Sequence, residues 1–274
     1  MATASVIITT YNRPDALAAV LEGFRVQSNH DFEAVIADDG STDETAHLIR
    51  RMSERLPFPV HHVWQEDKGF RAAAVRNRAI AASHGDYVIF VDGDCIPLPD
   101  FIASHFRLAE RGWFVSGNRI LMSRLFTGRV LAEKLPVHSW GSLQWLCARM
   151  RGWINRVLPL LRLPDGRLRK HKRDQWEGAK TCNLAIWRED LLRVNGFDER
   201  YQGWGHEDAD LVVRLIRSKV WRKEARFAVP VLHLWHPHVE RAGLADNVSR
   251  LQAVLREGNI AAREGLHQHL LFPR

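Results

Sequence analysis

Asp86-Tyr87-Val88-Ile89-Phe90-Val91-Asp92-Gly93-Asp94-Cys95 is the stretch on which the reading of this chain turns. Its apolar run from Tyr87 to Val91 is too short for a helix and rich in β-branched and aromatic types, so it predicts a strand buried on both faces. Alternation along an extended backbone carries Asp92 and Asp94 to the same side, while Gly93 between them lets another group come close. Two carboxylates so placed suit Mn²⁺ or Mg²⁺, hard cations that complete their shell with water and ligand phosphates, and the implied ligand is therefore phosphorylated. An isolated Asp-Gly-Asp fits an acidic turn even better. The surrounding chain has to decide.

Upstream, strand and helix patterns alternate. Ser5-Val6-Ile7-Ile8-Thr9-Thr10-Tyr11 reads as a first strand, and Asn12-Arg13-Pro14-Asp15 supplies start signals for a helix to about Gln27. Phe32 to Ala37 predicts a second strand ending at Asp38-Asp39-Gly40-Ser41, where Ser41 and Glu44 have the spacing of a capping box for the next helix. A third strand, Val60 to Trp64, precedes Lys68-Gly69-Phe70-Arg71 and a helix from Ala72 to Ala82. Such units predict an α/β fold, a mostly parallel twisted sheet with helices on both faces. Ligands of these sheets sit beyond the carboxyl ends of the strands. Asn12-Arg13, Asp38-Asp39, Lys68-Gly69 and Asp92-Gly93-Asp94 all fall there, which favours a pocket over four unrelated turns. With no Gly-x-Gly-x-x-Gly after the first strand and no Gly-Lys-Ser/Thr loop, neither a dinucleotide cradle nor a P-loop is supported.

Downstream, Ile96-Pro97-Leu98-Pro99-Asp100 starts another helix and Trp113 to Gly117 a further strand, after which the pattern breaks. Residues 124–175 read as a basic, tryptophan-bearing helical insertion with Trp140, Trp145 and Trp153 among leucines. Between Arg124 and Asp174, 12 lysines and arginines stand against Glu133, Asp165 and Asp174, a net +9 that leaves −2 for the rest of a +7 chain. The interleaving from Leu143 to Leu163 predicts an amphipathic helix broken near Pro159. A solvated basic face, a membrane-surface element and a contact for an anionic polymer all fit this stretch, and tryptophans among arginines favour the membrane interface. Thr181 to Trp187 resumes as a strand, followed by a short helix from Arg188 closed near Asn195-Gly196. Phe197 to Asp210 then forms a loop opening a helix, whose three first-turn acids are also what a helix dipole favours. A late strand, Val229 to Trp235, runs into His233, His236 and His238, more histidines than packing alone explains. The tail from Arg241 to about Glu264 reads as a helix with Leu244, Val248, Leu251 and Leu255 on one side.

A chain of 274 residues, 46% hydrophobic and 26% charged, is globular in composition. It reads as one domain in four parts, 1–117, an insertion at 118–177, 178–240, and a helical tail at 241–274. Cys95, Cys147 and Cys182 are odd in number and widely spaced, which suits a reducing compartment. Met1 runs directly into a strand-like segment, arguing against a signal peptide, and no uncharged apolar stretch of about 18 residues is present to span a bilayer. The cytoplasm is the expected location, with peripheral contact on the inner face of the membrane through 124–175.

These residues together resemble the family 2 glycosyltransferases of the GT-A fold. The resemblance runs through Ser5 to Arg13, Ala37-Asp38-Asp39-Gly40-Ser41-Thr42-Asp43, Lys68-Gly69 with Ala74-Val75-Arg76-Asn77, and Val91-Asp92-Gly93-Asp94. Gly203-Trp204-Gly205-His206-Glu207-Asp208-Ala209-Asp210-Leu211 is similar to the Trp-Gly-x-Glu-Asp-x-Asp loop of β-1,4-galactosyltransferases and chondroitin-polymerase modules. Residues 124–175 depart from the common pattern. The resemblance implies a nucleotide-sugar donor, most often a UDP-sugar, and a glycan or lipid-linked glycan acceptor of the bacterial-envelope kind. It implies that Thr9, Tyr11 and Arg13 line the nucleotide site, that Asp39 accepts a hydrogen bond from the base, and that Arg71 or Arg76 approaches the diphosphate. Asp92 faces the ribose or metal-bound water, Asp94 is the direct metal ligand, and His233 and His236 have the spacing of late-strand ligands, with the choice between them open. Asp208 is implied as the base that takes the acceptor proton in an inverting transfer, Glu207 as its orienting neighbour, and Trp204 as a stacking platform for a sugar.

Two rivals fit less well. A sugar-phosphate nucleotidyltransferase carries a Gly-rich loop with Arg and Lys after the first strand, which Thr9-Thr10-Tyr11-Asn12-Arg13 is not. A nucleic-acid-binding protein would explain the basic charge, but no binding motif accompanies it and a carboxylate-rich rim repels phosphate backbones, so no nucleic-acid partner is expected.

Overall fold

The computed structural model describes residues 3–237 and 243–270; His238 and the start of the tail at Arg241 lie outside them. Adjacent residues of the first strand, Ala4–Thr10 (β1), go to different cores, Val6 and Ile8 to one and Ile7 to the other. This period-two sorting marks a strand covered on both sides. Pro14–Arg25 (α1) follows with Pro in its first turn, and Phe32–Asp38 (β2) pairs parallel with β1. Asp43–Ser53 (α2) is capped by Thr42 without a side-chain bond, so the capping box read at Ser41 does not form. Instead Ser41 Oγ accepts from the Asn12 amide at 2.8 Å and Asn12 Oδ1 accepts from the Thr42 amide at 2.9 Å, tying the first two strand ends together.

Val60–Trp64 (β3) pairs parallel with β2, Ala72–Ala82 (α3) packs behind, and Tyr87–Asp92 (β4) pairs parallel with β1. Cys95–Pro97 (β5), Phe101–Leu108 (α4), Trp113–Ser116 (β6) and Asn118–Leu121 (β7) come next. Arg124–Ala132 (α5) and Ser142–Met150 (α6) belong to the expected insertion, after which Asn183–Trp187 (β8), Arg188–Arg193 (α7) and Glu207–Arg217 (α8) return to the sheet. Trp221–Glu224 (β9), Pro230–His233 (β10), Leu244–Glu257 (α9) and His267–Leu270 (α10) complete the order.

Seven strands run β3-β2-β1-β4-β8-β6-β9, and a separate three-stranded sheet runs β5-β10-β7. The half read from the alternating pattern is parallel, whereas β8 is antiparallel to both β4 and β6. Strands β5, β7 and β9 were not anticipated, and β5 occupies Ile96-Pro97, where a helix start was expected; that helix begins at Phe101. In β9, Trp-Arg-Lys-Glu looks like surface, yet Arg222 and Lys223 are buried. The Lys223 ammonium is held by Asp165 at 2.7 Å, Glu110 at 3.1 Å and the Leu108 carbonyl at 3.1 Å, the pairing a buried charge requires.

Three expectations need correcting. The helix read from Leu143 to Leu163 stops at Met150, because Gly152 at φ +67° turns the chain and Ile154 bridges Met122. The tryptophans assigned to an interface face inward: Trp145 is buried, and Trp140 and Trp153 pack on Phe126 in the core shared with α1 and α4. In the tail, Asn247, Leu251 and Val254 are the buried face of α9, against Ala209 and Val213 of α8, while Leu255 is exposed and Gly258 at φ +77° ends the helix early.

Candidate active site

The carboxyl ends of β1 and β4, the turn after β2 and the first turn of α8 open into one cleft of about 800 Å³. Thr9, Tyr11, Arg13, Asp39, Arg76, Asp92, Gly93, Asp94, Trp204, Glu207, Asp208, His233 and His236 all line it. Arg71 does not: its guanidinium turns back to the Glu66 carbonyl, and what it contributes is its backbone amide, which donates to Asp39 at 2.7 Å. The other Asp39 oxygen accepts from Gln65 Nε2 at 2.6 Å. Burial raises the Asp39 pKa against the pull of these two bonds. Tyr11, half exposed, donates its hydroxyl to Asp67 at 2.8 Å, and Arg13 pairs with Asp15 at 2.9 Å.

Arg76 is the hub. From the second turn of α3, its guanidinium donates to Thr9 Oγ1 at 3.0 Å, to Glu207 at 3.0 Å and to Asp92 at 3.4 Å. Burial works against its charge, but Glu207 and Asp92 more than offset that and raise its pKa. One buried side chain thus joins β1, the Asp92-Gly93-Asp94 turn and the start of α8. The turn itself is close-packed: the Gly93 amide donates to the Thr9 carbonyl at 2.7 Å, and a Cβ on Gly93 would stand 3.0 Å from that oxygen.

Across the cleft, Gly203 (φ +75°), Gly205 (φ +103°) and His206 (φ +73°) put the loop before α8 in left-handed backbone, so that Trp204 projects over the opening and Glu207 begins the helix. Glycines carry this conformation without cost, while His206 does not. Asp208 has its pKa raised to about 6, first by burial and then by the adjacent Glu207, with Lys180 and Arg76 opposing. Burial raises the Asp92 pKa as well, assisted by Asp94 and resisted by Arg76.

At the far wall, Asp94 faces two imidazoles, His233 Nε2 at 3.8 Å and His236 Nε2 at 3.5 Å. Both distances exceed those of good hydrogen bonds, so the three groups converge on a common space. Burial lowers the His233 pKa, as do Arg119 and His236, which keeps the imidazole neutral. A carboxylate with neutral imidazole nitrogen is a donor set that fits Mn²⁺ or a similar divalent ion.

Several lining residues escaped the sequence reading. Trp176 comes from the end of the presumed insertion, Lys180 from the loop just after it, Arg119 from the unanticipated β7, and Trp235 from just past β10. Lys180 bears directly on Asp208, but nothing in Glu177-Gly178-Ala179-Lys180 marks it out as more than a polar loop.

Comparison with known proteins shows the family and the fold. Residues 5–155 match glycosyl transferase family 2, and residues 167–236 match the N-terminal domain of galactosyltransferase. Validoxylamine A glucosyltransferase of Streptomyces hygroscopicus subsp. jinggangensis is 31% identical over 227 residues, 77% of this chain and 50% of that protein. Hyaluronan synthase of Pasteurella multocida is 28% identical over 234 residues, 78% of this chain but 22% of its own length. The chain therefore spans half or less of these curated relatives. Among solved structures, the mannosyltransferase PcManGT from Pyrobaculum calidifontis in complex with GDP-Man and Mn²⁺ aligns with a TM-score of 0.60 at 17% identity, covering 92% of this chain and 62% of that one. Staphylococcus aureus TarS 1-349 in complex with UDP aligns at 0.60 and 14% identity, covering 99% and 73%. With more than half of its length matched over 5–155 and its sheet shared with these enzymes, the chain belongs to glycosyl transferase family 2 and has the GT-A fold.

Proposed function

We propose that this chain catalyses an inverting, metal-dependent transfer of a sugar from a UDP-sugar to a hydroxyl of a glycan or lipid-linked glycan, in bacterial envelope polysaccharide synthesis at the cytoplasmic face of the membrane. The observation that carries it is the Arg76 bridge, which couples Glu207 beside Asp208 to Asp92 and Thr9 in one cleft. The names of the relatives, a glucosyltransferase and bacterial polysaccharide synthases, support the acceptor class. In this reading the chain works as one unit, 1–117 holding the nucleotide and 178–240 the acceptor.

Thr9, Tyr11 and Arg13 border the nucleotide, and Asp39, with lone pairs left after Gln65 and Arg71, accepts from the base. Asp94, His233 and His236 would hold the divalent ion, which when bound supplies positive charge to the departing diphosphate. Asp208 takes the proton of the acceptor hydroxyl; its raised pKa puts it near the range where a base is both ionised and strong enough to work. Glu207, held by Arg76, orients the hydroxyl, and Trp204 stacks on a sugar face and shields the cleft from water.

Two substitutions test the assignment. Asp208→Asn is expected to lower turnover on the order of 10²–10⁴-fold while UDP affinity is retained, and near-normal turnover would remove Asp208 from the chemistry. Asp94→Ala is expected to abolish the gain in UDP affinity on adding Mn²⁺; calorimetry giving the same gain as wild type would move the ion elsewhere.

A further inference from the structure

Helix α6 is apolar on two opposite sides. Its inner side places Trp145 and Ala148 in the core. Its outer side carries Leu143, Leu146 and Met150, at 74%, 48% and 72% exposed, spaced three and four apart as a single stripe. With the inner side already packed, three large apolar side chains left exposed together form a patch of the kind that marks an interaction surface. Beside it stand Arg149, exposed, and Arg151, whose guanidinium lies 4.9 Å from the Trp153 ring centre. Arg129 of α5 approaches the same ring at 5.2 Å, and one turn before it Leu125 is 71% exposed, so α5 adds a further leucine next to the arginines.

We propose that this face of α5 and α6 seats the protein on an anionic lipid bilayer. The choice of occupant comes from charge: leucines and a methionine beside Arg149 and Arg151, with Arg129 offset by its ion pair to Glu133, within a segment of net +9 in a chain otherwise near neutral, complement acidic headgroups over acyl chains. The indoles are not the contact; they are the platform under it. The face also adjoins the cleft. Arg149 shares a shallow groove with Leu121, Gly152 and Asn155, and Leu121 lines the main cleft as well. Docked this way, the cleft mouth lies at the bilayer surface, which extends the lipid-linked acceptor reading given above and depends on it only for the identity of the acceptor.

Flotation with vesicles tests the docking apart from the chemistry. Wild-type protein at physiological salt is expected to float with phosphatidylglycerol-containing vesicles and not with pure phosphatidylcholine. The Leu143→Ser/Leu146→Ser/Met150→Ser variant should lose at least nine-tenths of that binding, with its melting temperature and its slow hydrolysis of a UDP-sugar in solution unchanged. Arg149→Glu, which leaves the apolar stripe intact, should weaken binding several-fold and in a salt-dependent manner. Failure of wild type to float, equal flotation of the triple variant, or a concentration-dependent dimer that the triple variant abolishes without any vesicle binding would each overturn the proposal. Loss of hydrolysis with flotation intact would strike the catalytic reading and leave the docking surface standing.

Discussion

Burial and three charged neighbours set the ionisation of Asp208, the proposed base. Arg76 and Lys180 lower the pKa of Asp208, burial and Glu207 raise it, and the balance stands at about 6. Since only the carboxylate form accepts a proton, kcat/KM is expected to rise about tenfold per pH unit below 6 and to level off above it. Arg76→Gln withdraws one of the opposing positive charges, so the same limb should move to higher pH, with kcat reduced because Glu207 is no longer held. A pH profile of both proteins checks this, and a limb that stays put would mean that another group titrates. Asp208 was legible from its Trp-Gly-x-Glu-Asp setting, and Asp94 from the end of a buried strand. Arg76 was legible only as one of two arginines, with Arg71, that the resemblance would bring to a diphosphate. Its ties to Thr9, Asp92 and Glu207 depend on residues up to 131 positions apart in the chain, a separation that no local pattern encodes.

Elements were readable where their periodicity served one purpose and misread where it served two. Strands β1, β2 and β4 are buried under helices, so composition and pattern agree; they and the partly exposed edge strand β3 were each placed within a residue or two. In α6 an inner tryptophan and an outer leucine stripe produce one interleaved pattern, and the choice of which faced out went to the tryptophans, against the structure. Strand β9 hid for the opposite reason: its buried Lys223 is neutralised by Glu110 and Asp165, distant in sequence, while buried Arg222 pairs with Glu224 on the same strand and donates to the Gln175 and Glu177 carbonyls. The loop before α8 is readable through its glycines. At Gly205 (φ +103°) an added Cβ would meet only Leu244 Cδ1 at 3.4 Å, an ordinary contact, so conformational strain rather than a clash sets the cost of Gly205→Ala. That strain is worth about 1 kcal/mol, or a fall in melting temperature of roughly 2–4 °C for a domain of this size. A calorimetric scan showing no change would mean that the loop relaxes out of left-handed backbone.

The whole molecule depends on a junction that the sequence showed least. Asn183 at the start of β8 donates to the carbonyls of Asn118 and Val229, and its own carbonyl accepts from the Gly117 amide at 2.9 Å, so it joins the seven-stranded sheet to the first residue of β7 and to the residue just before β10. Its side-chain oxygen faces His105 Nε2 of α4 at 3.2 Å. His105 is fully buried against Phe101, and its Nδ1 has no partner among the described residues. Burial therefore depresses its pKa to about 3, only partly resisted by the bond to Asn183. The sign follows from linkage: below about pH 6.5 the unfolded chain takes up a proton that the folded one refuses, so this residue removes stability steadily as pH falls from 6.5 toward 3. Each unit of that window costs about 1.4 kcal/mol. Asp208 acts in the reverse sense, its raised pKa restoring stability as pH falls through 6, and it must be cancelled out of any measurement. The comparison is therefore between wild type and His105→Gln, which keeps a donor for Asn183 and cannot become charged. Urea midpoints taken from pH 7.5 to 5 are expected to fall more steeply for wild type than for the variant. Parallel curves would show that the two sheets meet without a titrating group between them.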